Sequence, residues 1–188
     1  MPTPDKTSID AIVLAARDLL EHDGLAGLTM QAVALRVGVR APSLYKRVQS
    51  RDGLIRLVAE ATLTDLANRL DSAPGPFDIA DEFRAFGHAH PAAFQLVMTP
   101  GAGVPVARAE YGAAASAAVL QLAGRLAGTE HALEAARTFT AWAVGFISME
   151  LNGGFNLGGQ VDEAWQFGVM RILEVLDTAG NSGPRAEL

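Results

Sequence analysis

The chain has 188 residues, of which 49% are hydrophobic and 19% charged, so it holds enough apolar side chains for a sizeable core and is not expected to be disordered. It contains no cysteine, which excludes disulfides, thiolate zinc sites and cysteine nucleophiles, and no apolar run approaches the roughly 18 residues of a membrane span. Its formal net charge of -6, taken as a whole, argues against a nucleic-acid partner, because phosphate neutralisation requires Lys and Arg.

Glycine and proline residues divide the sequence into segments of helical length. No segment shows the sustained alternation of β-branched and aromatic residues that strands require, so we expect an all-α fold. The predicted helices, in which Thr29 and Ser50 are caps, are Ile9–His22 (capped by Thr7 or Ser8 and ended by Gly24), Thr29–Val37, Pro42–Val48, Ser50–Leu70, Ile79–His88, Pro91–Met98, Val104–Leu126, Glu130–Asn152 and Glu163–Thr178. The glycine-rich segment Gly153–Gly159 is predicted to be a loop.

The segment from Gln31 to Val48 carries the most informative spacing in the chain. Ala34, Gly38 and Leu44 stand at relative positions zero, four and ten. Two short helices that cross steeply need a small residue at their contact, a residue tolerant of positive φ at the turn, and an apolar side chain from the second helix that fills the gap. The spacing therefore predicts a helix-turn-helix whose second helix enters the major groove of DNA.

The basic residues are concentrated in the same part of the chain. Six basic residues and one acidic residue lie from Arg36 to Arg56, whereas seven basic and fifteen acidic residues follow from Leu57 onward. A compact basic segment on an acidic body is typical of a phosphate-binding surface. A solvated helix face with chance clustering is the alternative that charge alone leaves open.

The segment from Ile9 to Ala61 resembles the N-terminal signature of the TetR-type transcriptional regulators. The resemblance lies in Thr29-Met-Gln-Ala-Val-Ala, Gly38-Val, Leu44-Tyr45 and Ser50-Arg-Asp-Gly-Leu-Ile. Many members have an aromatic residue where Val48 stands, which should affect packing under the second helix more than DNA contacts. The resemblance implies a dimeric, ligand-responsive DNA-binding regulator with its DNA-reading unit in about the first fifty residues.

Three residues are predicted to contact base edges. Arg and Lys pair naturally with the acceptor atoms of guanine, and a hydroxyl group can contact any base. The predicted base-edge contacts are Arg40, Ser43 and Lys46.

Phosphate contacts are predicted for a second group. The resemblance implies such a contact for Tyr45, whose alternative is a place in the core. Arg47 and Arg51 are predicted to anchor phosphates, which positions a protein on DNA without specifying sequence. Thr29 is predicted to cap its helix, and a hydroxyl-capped helix N-terminus is also compatible with a phosphate contact.

The last two predicted helices carry apolar faces suited to dimerisation. The first of them has a bulky stripe and a small-residue stripe that lets another helix approach closely, and the last has one apolar face. As the resemblance implies, these faces predict a homodimer through the last two helices, with recognition helices about 34 to 36 Å apart on a palindromic operator. The faces are Phe139, Trp142, Phe146 and Met149 (bulky), Ala141, Val144, Gly145, Ser148 and Asn152 (small), and Trp165, Val169, Ile172 and Leu176 (last helix).

Residues Phe83–Met98 and Val144–Phe155 resemble the ligand-sensing domain called the WHG type. In that type a histidine usually precedes the glycine that matches Gly145, whereas Val144 stands here, so the pocket is expected to be more apolar. Aromatic residues and methionines at helical spacing also form ordinary core, and Glu150 has a rim salt bridge with an arginine as its alternative role. The predicted ligand contacts are Phe94, Met98, Tyr111, Trp142, Phe146, Met149 and Glu150.

Neither a metal site, a cofactor nor an enzyme active site is predicted. His88 and His90 are two residues apart without a carboxylate at helical spacing to complete a metal set, and His90, before Pro91, is predicted to cap a helix. The sequence lacks a nucleophile elbow, a metalloprotease zinc motif and a Walker loop. The rival interpretation is a helical module that binds a protein partner and uses its basic segment for solubility.

These features predict a cytoplasmic regulator, a repressor released from its operator by a small apolar ligand, although an activator fits the sequence equally. The polar start Pro2–Ser8 is unlike a secretory signal. Residues 1–52 are predicted to form the helix-turn-helix DNA-binding domain, 53–178 a helical ligand-binding and dimerisation domain, and 179–188 a disordered tail. Pro74-Gly75-Pro76 is a candidate boundary or hinge, although the long helix before it belongs physically to both sides.

Overall fold

The computed structural model describes residues 8–181, and every regular element within that range is a helix, as the sequence predicts. None of the described helices combines the length and apolar character required to cross a bilayer. The helices are α1 (Ile9–Gly27), α2 (Met30–Arg36), α3 (Ala41–Tyr45), α4 (Arg51–Ser72), α5 (Pro76–Ala89), α6 (Pro91–Met98), α7 (Ala109–Ala127), α8 (Ala132–Leu151) and α9 (Val161–Asn181).

The first helix begins and bends where local sequence signals indicate. The Ser8 hydroxyl accepts a hydrogen bond from the Ala11 amide at 3.2 Å, which caps α1. Helix α1 continues beyond its predicted end at His22, but Gly24, at φ +66°, interrupts the helical geometry. The predicted stop is therefore a kink rather than an end.

Helices α3 and α7 are shorter than predicted because tertiary packing overrides their sequence pattern. Helix α3 ends at Tyr45. Beyond its end, the Val48 amide donates a hydrogen bond to the Leu44 carbonyl at 3.0 Å, and the Val48 side chain is buried in the core. Helix α7 begins at Ala109 rather than Val104. The segment before Ala109 packs on the core instead, with Val104 and Ala107 against it.

The described residues group into two compact units. The N-terminal unit comprises residues 8–65 and His90–Gly112, and the C-terminal unit comprises Leu66–Ala89 and residues 113–181. Helix α4 thus contributes to both units, and α6 belongs to the N-terminal one. The boundary predicted after residue 52 separates DNA binding from ligand binding and dimerisation, and it stays a prediction. Of the predicted tail, residues 179–181 are helical, and the rest lies outside the described residues.

Helix α6 is attached to the N-terminal unit through Glu21 of α1. The Glu21 carboxylate accepts hydrogen bonds from the amides of Ala92 and Ala93, both at 2.9 Å. His90 occupies the predicted cap position but makes no side-chain capping bond, so Glu21 supplies the negative charge that a helix N-terminus favours. The buried side chains of this unit include Ile12, Ala16, Leu20, Val33, Leu44, Leu54, Val58, Ala93 and Leu96.

The C-terminal unit is centred on Trp165 of α9. Its ring is fully buried, stacks on Trp142 of α8 with 4.9 Å between centroids, and lies edge-on to Phe146 at 5.2 Å. Its indole N–H donates to Asp81 of α5 at 2.8 Å. A buried tryptophan needs such a partner for its polar atom, so these contacts hold α5, α8 and α9 together.

Gly168 of α9 makes room for the Trp142 ring. A methyl group at Gly168 would lie 2.2 Å from Cζ2 of Trp142, and stacking on Trp165 leaves that ring little freedom to retreat. We expect Gly168→Ala to lower the free energy of unfolding by about 1–3 kcal/mol, measured by urea denaturation. Gly112→Ala is the control, because its added carbon meets nothing within 4 Å and alanine favours a helix.

Tryptophan fluorescence gives this variant an independent readout. The chain has two tryptophans, and both lie in this cluster. Displacement of the Trp142 ring should therefore change the emission spectrum of Gly168→Ala but not that of Gly112→Ala. Unchanged emission and unchanged stability of Gly168→Ala would contradict this packing.

The apolar face predicted for the last helix packs within the protomer, which corrects its assignment to dimerisation. Trp165, Val169 and Leu176 are buried, because stacking on α8 draws this side of α9 into the core. Ile172, the fourth predicted member, is half-buried. The large apolar side chains that α9 exposes are instead Phe167, Met170 and Val175.

Candidate nucleic-acid interface

The turn between α2 and α3 has the geometry that its sequence spacing predicts. At the end of α2, the Gly38 amide donates to the Leu35 carbonyl at 3.1 Å, and the Val39 amide donates to the Ala34 carbonyl at 2.9 Å. This pair of bonds is a Schellman motif, which favours a left-handed glycine, and Gly38 has φ +74°. Helix α2 therefore ends sharply, and the chain is directed into α3.

Helix α3 is held from below by apolar side chains. Ala34 of α2 is buried and leaves room for the second helix, while Leu44 of α3 is fully buried. Val48, just after α3, is also buried. Pro42 lies in the first turn of α3, where its missing N–H costs no helical bond. The polar side chains around α3 can consequently face away from the core.

Five of the predicted DNA contacts form what we call the α3 surface: Arg40, Ser43, Tyr45, Lys46 and Arg47. Arg40, Lys46 and Arg47 are exposed, and Ser43 is half-buried. Tyr45 is 49% exposed, so it is not a core residue. A surface with three cations and two hydroxyls can bind both phosphates and base edges. The individual DNA partners of these residues stay predictions.

Thr29 caps α2 as predicted. Its Oγ1 accepts a hydrogen bond from the Ala32 amide at 3.1 Å. This bond satisfies one of the free N–H groups at the start of α2. The additional phosphate contact of Thr29 stays a prediction.

Arg36 and Arg51 of the basic segment bind within the protein. Arg36 forms an ion pair with Asp18 of α1. Arg51 donates from Nε to the Leu28 carbonyl at 2.8 Å and from Nη2 to the Leu25 carbonyl. This role of Arg51 was not predicted, because bonds to backbone carbonyls 23 and 26 residues away leave no local sequence pattern. The basic segment thus presents less free charge than its composition indicates.

The seven predicted ligand contacts are divided between the two units. Phe94, Met98 and Tyr111 belong to the N-terminal unit, and the other four belong to the C-terminal unit. Phe94 is buried, and the Tyr111 hydroxyl accepts a hydrogen bond from Arg108 at 2.8 Å. Whether these side chains contact a ligand stays a prediction.

Trp142 and Phe146 lie in the aromatic cluster of the C-terminal unit. Their ring centroids are 5.7 Å apart, and Phe155 from the following loop lies 4.6 Å from Phe146. Both rings are half-buried and pack on one another, and whether they contact a ligand stays a prediction. Met149, of the same stripe of α8, is exposed.

Glu150 lies at the centre of a charged cluster that sequence analysis identified only in part. Arg84 donates from Nε to Oε2 at 3.0 Å and from Nη2 to Oε1, and His88 Nε2 lies 2.8 Å from Oε2. Burial raises the pKa of the Glu150 carboxyl, but the hydrogen bonds from Arg84 and His88 outweigh it and hold that pKa below its ordinary value. The salt bridge anticipated as the alternative role is therefore present.

A buried carboxylate on α4 was not predicted. Glu60 of α4 accepts hydrogen bonds from the Arg108 amide (3.3 Å), Nε (2.8 Å) and Nη2 (3.1 Å). The Arg108 hydrogen bond is the main reason that the pKa of Glu60 lies below its ordinary value. The two residues are 48 positions apart, so no sequence pattern pairs them. Their contact holds the segment before α7 against α4.

Comparison with known proteins extends these observations. Residues 6–58 match the family model described as bacterial regulatory proteins, tetR family, and residues 77–172 match the model for a tetracyclin repressor-like C-terminal domain. An uncharacterized HTH-type transcriptional regulator of Mycobacterium tuberculosis is 31% identical over 160 residues, which cover 80% of this chain and 73% of that protein. The class A tetracycline repressor protein from transposon 1721 of Escherichia coli is 30% identical over 192 residues, covering 96% and 85%.

A solved structure supports the fold. A TetR variant from Acinetobacter baumannii AYE in complex with minocycline superposes with a TM-score of 0.66 at 20% identity, covering 92% of this chain and 98% of that one. The resemblance to the WHG type stays a prediction. The two family models and the two curated relatives agree with the helix-turn-helix geometry, and this chain belongs to the TetR family of DNA-binding transcriptional regulators, which is not a class of enzymes.

Proposed function

We propose that this chain is a repressor that binds a palindromic operator as a homodimer and leaves it when a small apolar ligand binds. The observation that carries the proposal is the α3 surface, where Leu44 is buried while Tyr45, Lys46 and Arg47 are exposed. A helix held by its apolar side offers its polar side to the major groove. Membership of a family of DNA-binding regulators supports this function.

Within this function the α3 surface divides into two roles. Arg40, Ser43 and Lys46 contact base edges, since cationic donors match the two acceptors of guanine. Tyr45 and Arg47 contact phosphates and so position α3 in the groove, and the capped start of α2 at Thr29 lies against another phosphate.

The homodimer forms through α8 and α9. The small-residue stripe of α8 includes Ala141 and Gly145, which are exposed and would let a partner helix approach closely. Helix α9 exposes Phe167, Met170 and Val175, and apolar side chains of this kind form the dry centre of dimer interfaces. Two-fold symmetry then presents two copies of α3 to two half-sites of one operator.

An apolar effector suits the residues predicted to contact it. Six of the seven are aromatic or methionine, and the carboxylate of Glu150 is occupied by Arg84 and His88. Such a ligand releases the protein from the operator by favouring a different spacing of the two α3 helices. Linkage requires that DNA weaken ligand binding by the same factor by which the ligand weakens DNA binding. A regulator of this kind acts at the chromosome, which places it in the bacterial cytoplasm.

The test is selection of bound duplexes from a random DNA pool at fixed physiological salt, because salt determines how much non-specific binding survives. We expect enrichment of a palindrome whose half-sites are about one helical turn apart or a multiple of it. No enrichment by folded, ligand-free protein would favour the protein-interaction module. A ligand that binds without changing DNA affinity would contradict the release mechanism.

A further inference from the structure

Arg51 is the first residue of α4, and its guanidinium is directed back at the connection between α1 and α2. It donates to the carbonyls of Leu28, at 2.8 Å, and Leu25. Hydrogen bonds from a charged donor are stronger than neutral ones. A guanidinium presents several N–H groups in a rigid fork, whereas a lysine ammonium is a compact charge on a flexible stem. Arg51 is therefore suited to hold two carbonyls at once.

The connection that Arg51 holds determines where α2 begins. Leu28 is fully buried, and the next residue, Thr29, caps α2 through the Ala32 amide. Helix α2 in turn carries α3 through the Schellman turn at Gly38. A side chain that fixes the Leu28 carbonyl therefore fixes the start of α2 and, through α2, the position of α3.

The position of Arg51 in the chain gives this contact a second consequence. Helix α4 contributes residues to both compact units, with Asp65 in the N-terminal unit and Leu66 in the C-terminal unit. Its first residue is the one bonded to the α1–α2 connection. A shift of α4 along or about its axis would thus be carried by these bonds to the start of α2.

We propose that Arg51 is a positioning residue that couples α4 to the start of α2, rather than a phosphate anchor. A phosphate contact would require the guanidinium to face DNA, but Nε and Nη2 face carbonyls of the protein. This inference rests on the proposed DNA-binding function. It replaces the phosphate role that the charge of Arg51 alone suggested.

The salt dependence of DNA binding distinguishes the two roles. Removal of one phosphate contact should reduce the slope of log affinity against log salt by about 1. Two variants separate charge from geometry: Arg51→Lys keeps the charge but loses the fork, and Arg51→Gln loses the charge but keeps one donor group. The probes are a random-sequence duplex and the palindrome selected above, and Arg47→Ala serves as the phosphate-contact control.

A second measurement needs no DNA. Hydrogen exchange of the amides of residues 28–33 in the free protein reports directly on the start of α2. Exchange of the amides in the other helices shows, in the same experiment, whether each variant is folded. The exchange measurement remains informative if the wild-type protein binds no duplex. That outcome would overturn the proposed function, and the exchange rates alone would then decide whether Arg51 couples α4 to the start of α2.

We expect Arg51→Lys to weaken palindrome binding by about tenfold, despite its charge, with exchange in residues 28–33 accelerated by a similar factor in both variants. The salt slope of Arg51→Gln should change by less than half as much as that of Arg47→Ala. The proposal is overturned if Arg51→Lys binds like the wild type with unchanged exchange, or if Arg51→Gln lowers the slope as much as Arg47→Ala. Should Arg51→Lys fail to fold, the slope of Arg51→Gln decides.

Discussion

The double variant Tyr45→Ala, Lys46→Ala is expected to bind the selected palindrome at least about a thousandfold more weakly than the wild type. Loss of the base-edge contact of Lys46 costs about 1–3 kcal/mol of binding free energy, and the phosphate contact of Tyr45 is lost as well. A dimer contains two copies of each contact. Both side chains are exposed, while Leu44 beneath them is unchanged, so the fold should persist. Fluorescence anisotropy at fixed physiological salt measures the affinity, and circular dichroism checks the helix content.

Arg125→Ala is the matched control for charge. Arg125 is an exposed arginine on α7, outside the α3 surface, so its removal changes net charge by the same amount as the loss of Lys46. We expect its affinity for the palindrome to stay close to that of the wild type. Equal losses in the two variants would indicate a non-specific effect of charge, and no loss in the double variant would favour the protein-interaction module.

Arg84→Met is expected to lower the free energy of unfolding by about 3 kcal/mol at neutral pH. The side chain of Arg84 is 17% exposed and that of Glu150 13%, so the change leaves a largely buried carboxylate without its main partner. His88, whose side chain is 42% exposed, remains as its other contact. Methionine keeps apolar contact with the Trp165 ring, over which the guanidinium lies at 5.4 Å, so the loss reports chiefly on charge. Urea denaturation monitored by circular dichroism measures it.

The effect of Arg84→Met should depend on pH in a definite direction. A carboxyl whose pKa is lowered by folding stabilises the protein above its unfolded value, near 4.5, and loses that contribution as pH falls through the folded-state pKa. In Arg84→Met, Glu150 no longer accepts the hydrogen bonds from Arg84 that lower the pKa of its carboxyl. Burial, which raises that pKa, is then less compensated, so the pKa is higher than in the wild type. The difference in unfolding free energy between wild type and variant should therefore be largest at neutral pH and shrink below pH 4.5.

Arg171→Met is the control for a surface ion pair. Arg171 lies 2.7 Å from Glu174, and both side chains are exposed. Because water screens such pairs, we expect a loss below about 1 kcal/mol. A loss for Arg84→Met no larger than this, or one independent of pH, would show that the Glu150 cluster does not stabilise the fold as described.

The DNA-reading pair was predictable because its signals are local. The positions of Ala34, Gly38 and Leu44 predicted a steep helix crossing, and the structure has the small contact, the left-handed turn and the buried leucine in that order. The cap at Thr29 was predicted as well. Capping and turn geometry depend on residues within a few positions of one another, so a sequence pattern contains nearly all the information.

Part of the C-terminal half was less predictable because its helices are apolar on more than one side. Helix α9 carries Trp165 and Val169 on one side and Phe167 and Met170 on another. Helical periodicity identifies both stripes, but it does not say which one a neighbouring helix covers. The stacking of Trp165 on Trp142 decided that question, and it reversed the predicted assignment.

By itself, the sequence determined the all-α class, the helix-turn-helix and its exposed basic side chains, since these follow from periodicity, caps and local turns. Only the tertiary structure decided the partners of charged side chains that lie far apart in the chain. Arg51 bonds to the Leu28 carbonyl, Arg84 to Glu150 across 66 positions, and Glu21 to the start of α6. The physical reason is that a charge in a sequence specifies what it can bind, whereas the path of the folded chain determines which partner comes within hydrogen-bonding distance.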